Sequence, residues 1–110
     1  MKPGSSGTLN SMLYMIRGVD AEGSLPRRSA SRDAHLSRLR ALADEGRLIL
    51  AGPLPAIDAE DPGPAGFIGS LVVADFPSLG EAQSWAEADP YIQVGAWTSA
   101  EVQPFKRVLP

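Results

Sequence analysis

Cysteine is absent from this 110-residue chain, and histidine occurs once, at position 35. Without cysteine there is neither a disulfide framework nor a thiol nucleophile. One histidine falls short of a zinc site built from three or four nitrogen and sulfur ligands. No apolar run approaches the length of a membrane span. No basic run offsets the net charge of −3, so the chain has no electrostatic footprint for DNA or RNA. Motifs for haem or flavin are missing, as are repeats, and no cofactor is expected.

What remains is the composition of one soluble globular domain, 44% hydrophobic and 21% charged. Residues 1–11, MKPGSSGTLNS, are polar and rich in Gly and Ser, and lack the apolar segment of a secretory signal. They read as a disordered extension, residues 12–110 as the folded domain, and the cytoplasm as the expected location.

The apolar run Met12–Ile16 predicts a first strand, and the turn-rich stretch from Asp20 to Ser29 a loop. Ser29 or Ser31 is a candidate cap for a helix to about Glu45, with Leu36, Leu39, Leu42 and Ala43 at helical spacing and Gly46 as a stop. Leu48–Ala51 predicts a second strand ended by Gly52 and Pro53, and Phe67–Phe76 a third. Ser78 and Glu81 form a capping box for a second helix, which Pro90 ends near Asp89. A fourth strand is expected over Ala96–Val108.

The order βαββαβ is the split pattern of a ferredoxin-like α+β fold with an antiparallel sheet. Strands two and four would be its edges, where Pro53, Pro55 and Pro104 are tolerated. Both helices then cover one sheet face. Leu48-Ile49-Leu50-Ala51 and Leu71-Val72-Val73-Ala74 are apolar on either face, however, so the second face also needs cover. A second copy, packed face to face as a homodimer, is the simplest cover; loops or the N-terminal tail are the alternative.

His35 is the one side chain whose ordinary titration range lies near neutrality. With Arg32 one turn before it, it sits at the edge of the apolar helical stripe. From spacing alone, it reads first as a half-buried histidine bonded to a backbone carbonyl, and second as an acid–base group. Asp89, four residues after Trp85, continues the packed face of the second helix at its C-terminal end, where the helix dipole disfavours a carboxylate. It is a candidate to orient His35, or an Asp-Pro turn. Ser70, mid-strand among apolar neighbours, needs a partner: a backbone carbonyl first, otherwise His35 or a ligand. Gly52 and Pro53 could let the backbone approach a cleft. Asp58, Glu60 and Asp61 lack the spacing of a calcium loop and read as solvated surface.

Six segments stand in order along the chain: Arg32-x-x-His35-Leu36-x-Arg38-Leu39, Glu45-Gly46-Arg47-Leu48, Ala51-Gly52-Pro53-x-Pro55-Ala56, Gly66-Phe67-x-Gly69-Ser70, Ala88-Asp89-Pro90-Tyr91 and Pro104-Phe105-Lys106. Together they resemble the YciI-like family, the YCII-related domain. The resemblance runs from Met12 to about Val108 and implies a ferredoxin-like, dimeric α+β barrel. It also implies a His35–Asp89 dyad, with Arg32, Ser70, Tyr91, Gly52 and Pro53 as substrate-binding candidates. Gln103 stands where the family pattern has lysine, and Trp97 where tyrosine is common. The barrel's relatives include a dehydrochlorinase and muconolactone isomerases. The expectation is an isomerase, lyase or lactone hydrolase that moves a proton on a small molecule. The alternative is a non-catalytic binding or interaction domain of the same dimeric fold.

Overall fold

The structure, a computed structural model, describes residues 12–110. The extension expected over residues 1–11 lies outside them. Strand β1 (Met12–Asp20) is followed by helix α1 (Leu25–Asp44) and strand β2 (Leu48–Pro55). A single 3-10 turn, Gly63–Ala65, precedes strand β3 (Phe67–Phe76). Helix α2 (Leu79–Glu87), the one-turn helix α3 (Pro90–Gln93) and strand β4 (Trp97–Phe105) complete the chain. The four strands form one antiparallel sheet in the order β2-β3-β1-β4, the ferredoxin-like arrangement read from the sequence.

Side chains of a strand alternate between faces, so Tyr14 and Ile16 of β1 share one face with Val72, Ala74 and Phe76 of β3. That face meets Leu39 and Leu42 of α1 and Ala82 and Ala86 of α2 in one buried cluster. The small alanines let α2 lie close to the sheet. The opposite face carries Leu13, Met15, Leu50, Leu71 and Val73, as the register requires. It also carries Asp75, whose Oδ1 is buried without a hydrogen-bond partner among the described residues. Leu50 is 48% exposed.

Five boundaries depart from the expectations. β1 runs on to Asp20, and α1 begins at Leu25 rather than after Ser29 or Ser31. Pro26 lies in the first helical turn, where its missing N–H leaves no hydrogen bond unmade, so a supposed breaker starts the helix. Ser24 occupies the cap position but gives its hydroxyl to Asp20 instead of to the helix. Gly52 and Pro53 do not end β2; as an outer strand it tolerates both prolines and continues to Pro55. β4 stops at Phe105, short of Val108. Finally, Asp89 is not the end of α2. That helix closes at Glu87, and Asp89 caps α3 by accepting a hydrogen bond from the Tyr91 N–H at 2.9 Å.

Gly18 has a packing reason to be glycine. It pairs with Ser70 and Ala100 in the middle of the sheet, and a Cβ there would enter the Trp97 indole ring. Trp97 is 2% exposed and cannot swing out. Gly18→Ala is therefore expected to destabilise the domain by about 1–3 kcal/mol through overpacking. Urea unfolding should show part of that loss restored when Trp97→Leu is added. A midpoint unchanged by Gly18→Ala would contradict the packing account.

Candidate active site

The longer α1 sets the site. Arg28, His35, Leu39 and Leu42 are its buried residues, spaced by seven, four and three positions along one helical stripe. The apolar members enter the core, while Arg28 and His35 meet polar groups supplied from distant parts of the chain.

His35 and Asp89, 54 residues apart, come into contact: His35 Nδ1 lies 2.9 Å from both Asp89 oxygens. Asp89 is completely buried. Its carboxylate also accepts a hydrogen bond from Arg38 Nη1 at 3.1 Å and the one from the Tyr91 backbone N–H. A carboxylate only accepts, so Nδ1 carries the imidazole proton and Nε2 of the neutral ring is left as an acceptor. Arg38 is itself fixed by the Trp85 carbonyl, 2.6 Å from Nη2, and by the Trp85 ring, 4.2 Å below the guanidinium. The imidazole lies flat against Tyr91, with centroids 4.1 Å apart and planes within 12°. Trp97 meets it edge-on at 5.5 Å. The ring is clamped at one nitrogen and two sides.

Arg28 organises the neighbouring wall. Its Nε and Nη2 grip Asp20 Oδ2 and Oδ1 at 2.6 and 2.8 Å. The same Nη2 reaches the Gly69 carbonyl and Ser70 Oγ, each at 2.8 Å. The guanidinium lies 5.0 Å from the Phe67 ring centre and 5.1 Å from that of Tyr91. Asp20 holds the other side of this buried pair and also accepts from Ser24 Oγ.

A cavity of about 260 Å³ opens over these groups. Six of the seven residues singled out from the sequence line it: Arg32, His35, Ser70, Tyr91, Gly52 and Pro53. Asp89 is the seventh, sealed behind His35. Among the described residues only Asp75 Oδ1 and Trp97 Nε1 are fully buried polar side-chain atoms without a partner. His35 and Tyr91 both line the cavity, and neither His35 Nε2 nor the Tyr91 hydroxyl has a hydrogen-bond partner among the described residues. Ser70 bonds to a side chain, Arg28, where a backbone carbonyl was the first expectation. Sequence reasoning missed Arg28, Asp20 and Arg38 as members of the site. Arg28 lies seven residues before His35, two helical turns, and that signal was hidden by starting the helix too late. No group of three or more His, Cys, Asp or Glu side chains among the described residues is placed to hold a metal ion.

Burial pushes the Tyr91 phenol above its ordinary value of 10.0, against the opposing pull of Arg28 and Arg32. The neutral phenol is the form the fold favours. Its contribution to stability is fully present below pH 10.0 and is lost as pH rises through the raised folded value. The absorbance difference between the native protein and Tyr91→Phe should show a phenolate whose titration midpoint lies above 10.0. The alkaline decline in stability should be shallower in the variant. A difference curve centred at or below the ordinary phenol value would count against this.

Residues 12–106 match the YCII-related domain. The chain belongs to that family. Among YCII-related proteins, it is 55% identical over 98 residues to "Protein YciI" of Escherichia coli O6:H1, covering 89% of this chain and all of that protein. An uncharacterized protein of Haemophilus influenzae is 47% identical over the same length, with the same coverage of both. A solved structure is also similar, that of the 5-chloro-2-hydroxyhydroquinone dehydrochlorinase TftG from Burkholderia phenoliruptrix AC1100, in complex with 2,5-dihydroxybenzoquinone. The two superpose with a TM-score of 0.76 at 27% identity, over 88% of this chain and 96% of that one. The YCII-related chain thus has the ferredoxin-like α+β fold expected from its βαββαβ order, and it matches the dimeric α+β barrel fold that the family resemblance implied.

Proposed function

We propose that this protein is a small enzyme that moves a proton on a small organic molecule, with His35 as base and acid and Asp89 as the group that orients it. The observation that carries this reading is the clamped imidazole of a cavity-lining histidine: Nδ1 is tied to a buried carboxylate at 2.9 Å, and Nε2 has no hydrogen-bond partner among the described residues. A base–orienter pair needs that arrangement, because the carboxylate selects the tautomer and steadies the imidazolium once a proton is taken. Nε2 removes a proton from a carbon beside a carbonyl, and the electron pair moves onto the carbonyl oxygen. The Ser70 hydroxyl and Arg32 stabilise that oxygen. The imidazolium then returns the proton to a different carbon, which is an isomerisation. Alternatively the enolate expels a neighbouring chloride as its carbonyl re-forms, which is an elimination of hydrogen chloride. The likeness to TftG, a dehydrochlorinase, supports the second outcome as a class.

Exchange in D₂O tests the reading without a known substrate. The protein is mixed with small cyclic enones, hydroxyquinones including 2,5-dihydroxybenzoquinone, and lactones, and loss of C–H signals is followed by NMR. Exchange on the order of 10²- to 10⁴-fold above background is expected for at least one compound, and none of it in His35→Gln. If no compound exchanges faster with the native protein than with the variant, the cavity belongs to a binding module.

The open sheet face supports a homodimer. It carries Leu13, Met15, Leu50, Leu71 and Val73 with Arg17 and Asp75 among them, the buried core cluster lies on the other face, and Asp75 Oδ1 has no hydrogen-bond partner among the described residues. A second copy packed on this face is expected to give a species of twice the 11.6 kDa chain mass in sedimentation at micromolar concentration. A clean monomer under those conditions would remove the dimer.

A further inference from the structure

Resting on that acid–base reading of the cavity, we infer that its substrate is a single-ring organic anion, bound as an ionised enol or phenol and not as a neutral lactone or ester. Charge and hydrogen-bond direction lead there independently.

The cations and anions around the cavity leave one positive charge over. Arg28 is neutralised by Asp20 in a buried two-point pair, and Arg38 by Asp89. His35 is neutral when its Nδ1 proton is on the carboxylate side and Nε2 is bare. Arg32 is exposed at the cavity and forms no hydrogen bond or ion pair with any described residue. An uncompensated guanidinium over a cavity, in a chain whose net charge is −3, is a local field of the opposite sign to the whole.

Hydrogen-bond direction gives the second argument. Ser70 Oγ accepts from Arg28 Nη2 at 2.8 Å, so its own proton is what it offers to the cavity. Arg32 can only donate. On this side the site presents donors, and their natural complement is an oxygen carrying negative charge. His35 Nε2, an acceptor in the neutral ring, is left for the proton to be removed. The rest of the wall, Leu36, Leu39, Ala51, Leu71 and Val72, is apolar. A bare inorganic anion would leave those side chains uncovered, whereas one ring fits within a space of about 260 Å³ and can lie against them.

Two probes of one shape separate charge from fit: cyclohexane-1,3-dione, ionised at pH 7, and its neutral enol ether, 3-methoxycyclohex-2-enone. Calorimetry is expected to show the ionised ring binding at least about tenfold more tightly, the size of one charge-assisted hydrogen bond. Arg32→Gln, an exposed substitution that leaves the core untouched, should abolish the preference, and Ser70→Ala should weaken the ionised ring alone. Sulfate should compete no better than its ionic strength explains. Equal binding of both probes, binding of neither, a preference that survives Arg32→Gln, or sulfate competing as strongly as the ring would each overturn the assignment. Any of these is compatible with His35-dependent deuterium exchange, so the anion assignment can fail while the acid–base reading stands. Absence of that exchange with the preference intact would do the opposite, leaving an anion-binding cavity without proton transfer.

Discussion

Asp89→Asn is expected to destabilise the domain by about 3–5 kcal/mol, because it removes the completely buried anion that His35 and Arg38 share. The amide matches the carboxylate in size but cannot match its hydrogen bonds. Asp89 Oδ1 accepts from the Tyr91 N–H, and Oδ2 from Arg38. Whichever oxygen becomes an NH₂ group then points a donor at a donor. The imidazole must respond as well. Facing an amide N–H, Nδ1 gives up its proton and becomes the acceptor, and the proton moves to Nε2. The group offered to the cavity then changes from a base to a donor. Catalysed proton transfer should fall most of the way to the His35→Gln level, as tautomer loss does in other base–orienter pairs. Nitrogen NMR of the imidazole reads the tautomer directly, and urea unfolding at fixed protein concentration reads the stability. An unchanged tautomer together with a loss below about 0.5 kcal/mol would show that the carboxylate does not organise the ring.

Arg28→Met is expected to be comparably damaging, at about 3–5 kcal/mol, for a related reason. Its side chain is 8% exposed and its partner Asp20 1%, so the substitution strands a buried carboxylate. For a domain of this size, that loss lowers the unfolding temperature by on the order of 15–30 °C. The pair itself need not be worth so much, since burying two charges costs about as much as their attraction returns. Adding Asp20→Asn to Arg28→Met should therefore recover a large part of the loss, and the double-mutant cycle should show strong coupling. Additive effects would mean that each residue acts through other contacts. The single variant should also free the Ser70 hydroxyl, which Arg28 now holds, and blunt any preference of the cavity for anions.

The order of elements was legible in the sequence because each rests on a local pattern. Strand β3 is one apolar run between a Gly/Pro-rich connection and a capping serine, and its limits follow to the residue. The buried helix stripe at Leu39 and Leu42 follows from spacing. Pairings across the chain were less accessible. Nothing near Asp20 announces an arginine eight residues later as its partner, and Pro26, read as loop, is the residue that starts the helix bringing Arg28 there. The same ambiguity misplaced Asp89. A proline stops the helix before it and begins the helix after it, so Pro90 served equally as the end of α2 and the first residue of α3. His35 and Asp89 could be named together through family resemblance, but only the fold shows that Arg38 and the Tyr91 N–H hold the carboxylate as well.

The prolines of the outer strands bear on how this protein behaves when crowded. Pro53 and Pro55 interrupt the free margin of β2, and Pro104 interrupts that of β4. Neither margin presents an unbroken ladder of N–H groups for a stray strand to zip onto. Sideways growth of the sheet, the first step toward a fibril, is thus blocked at both ends.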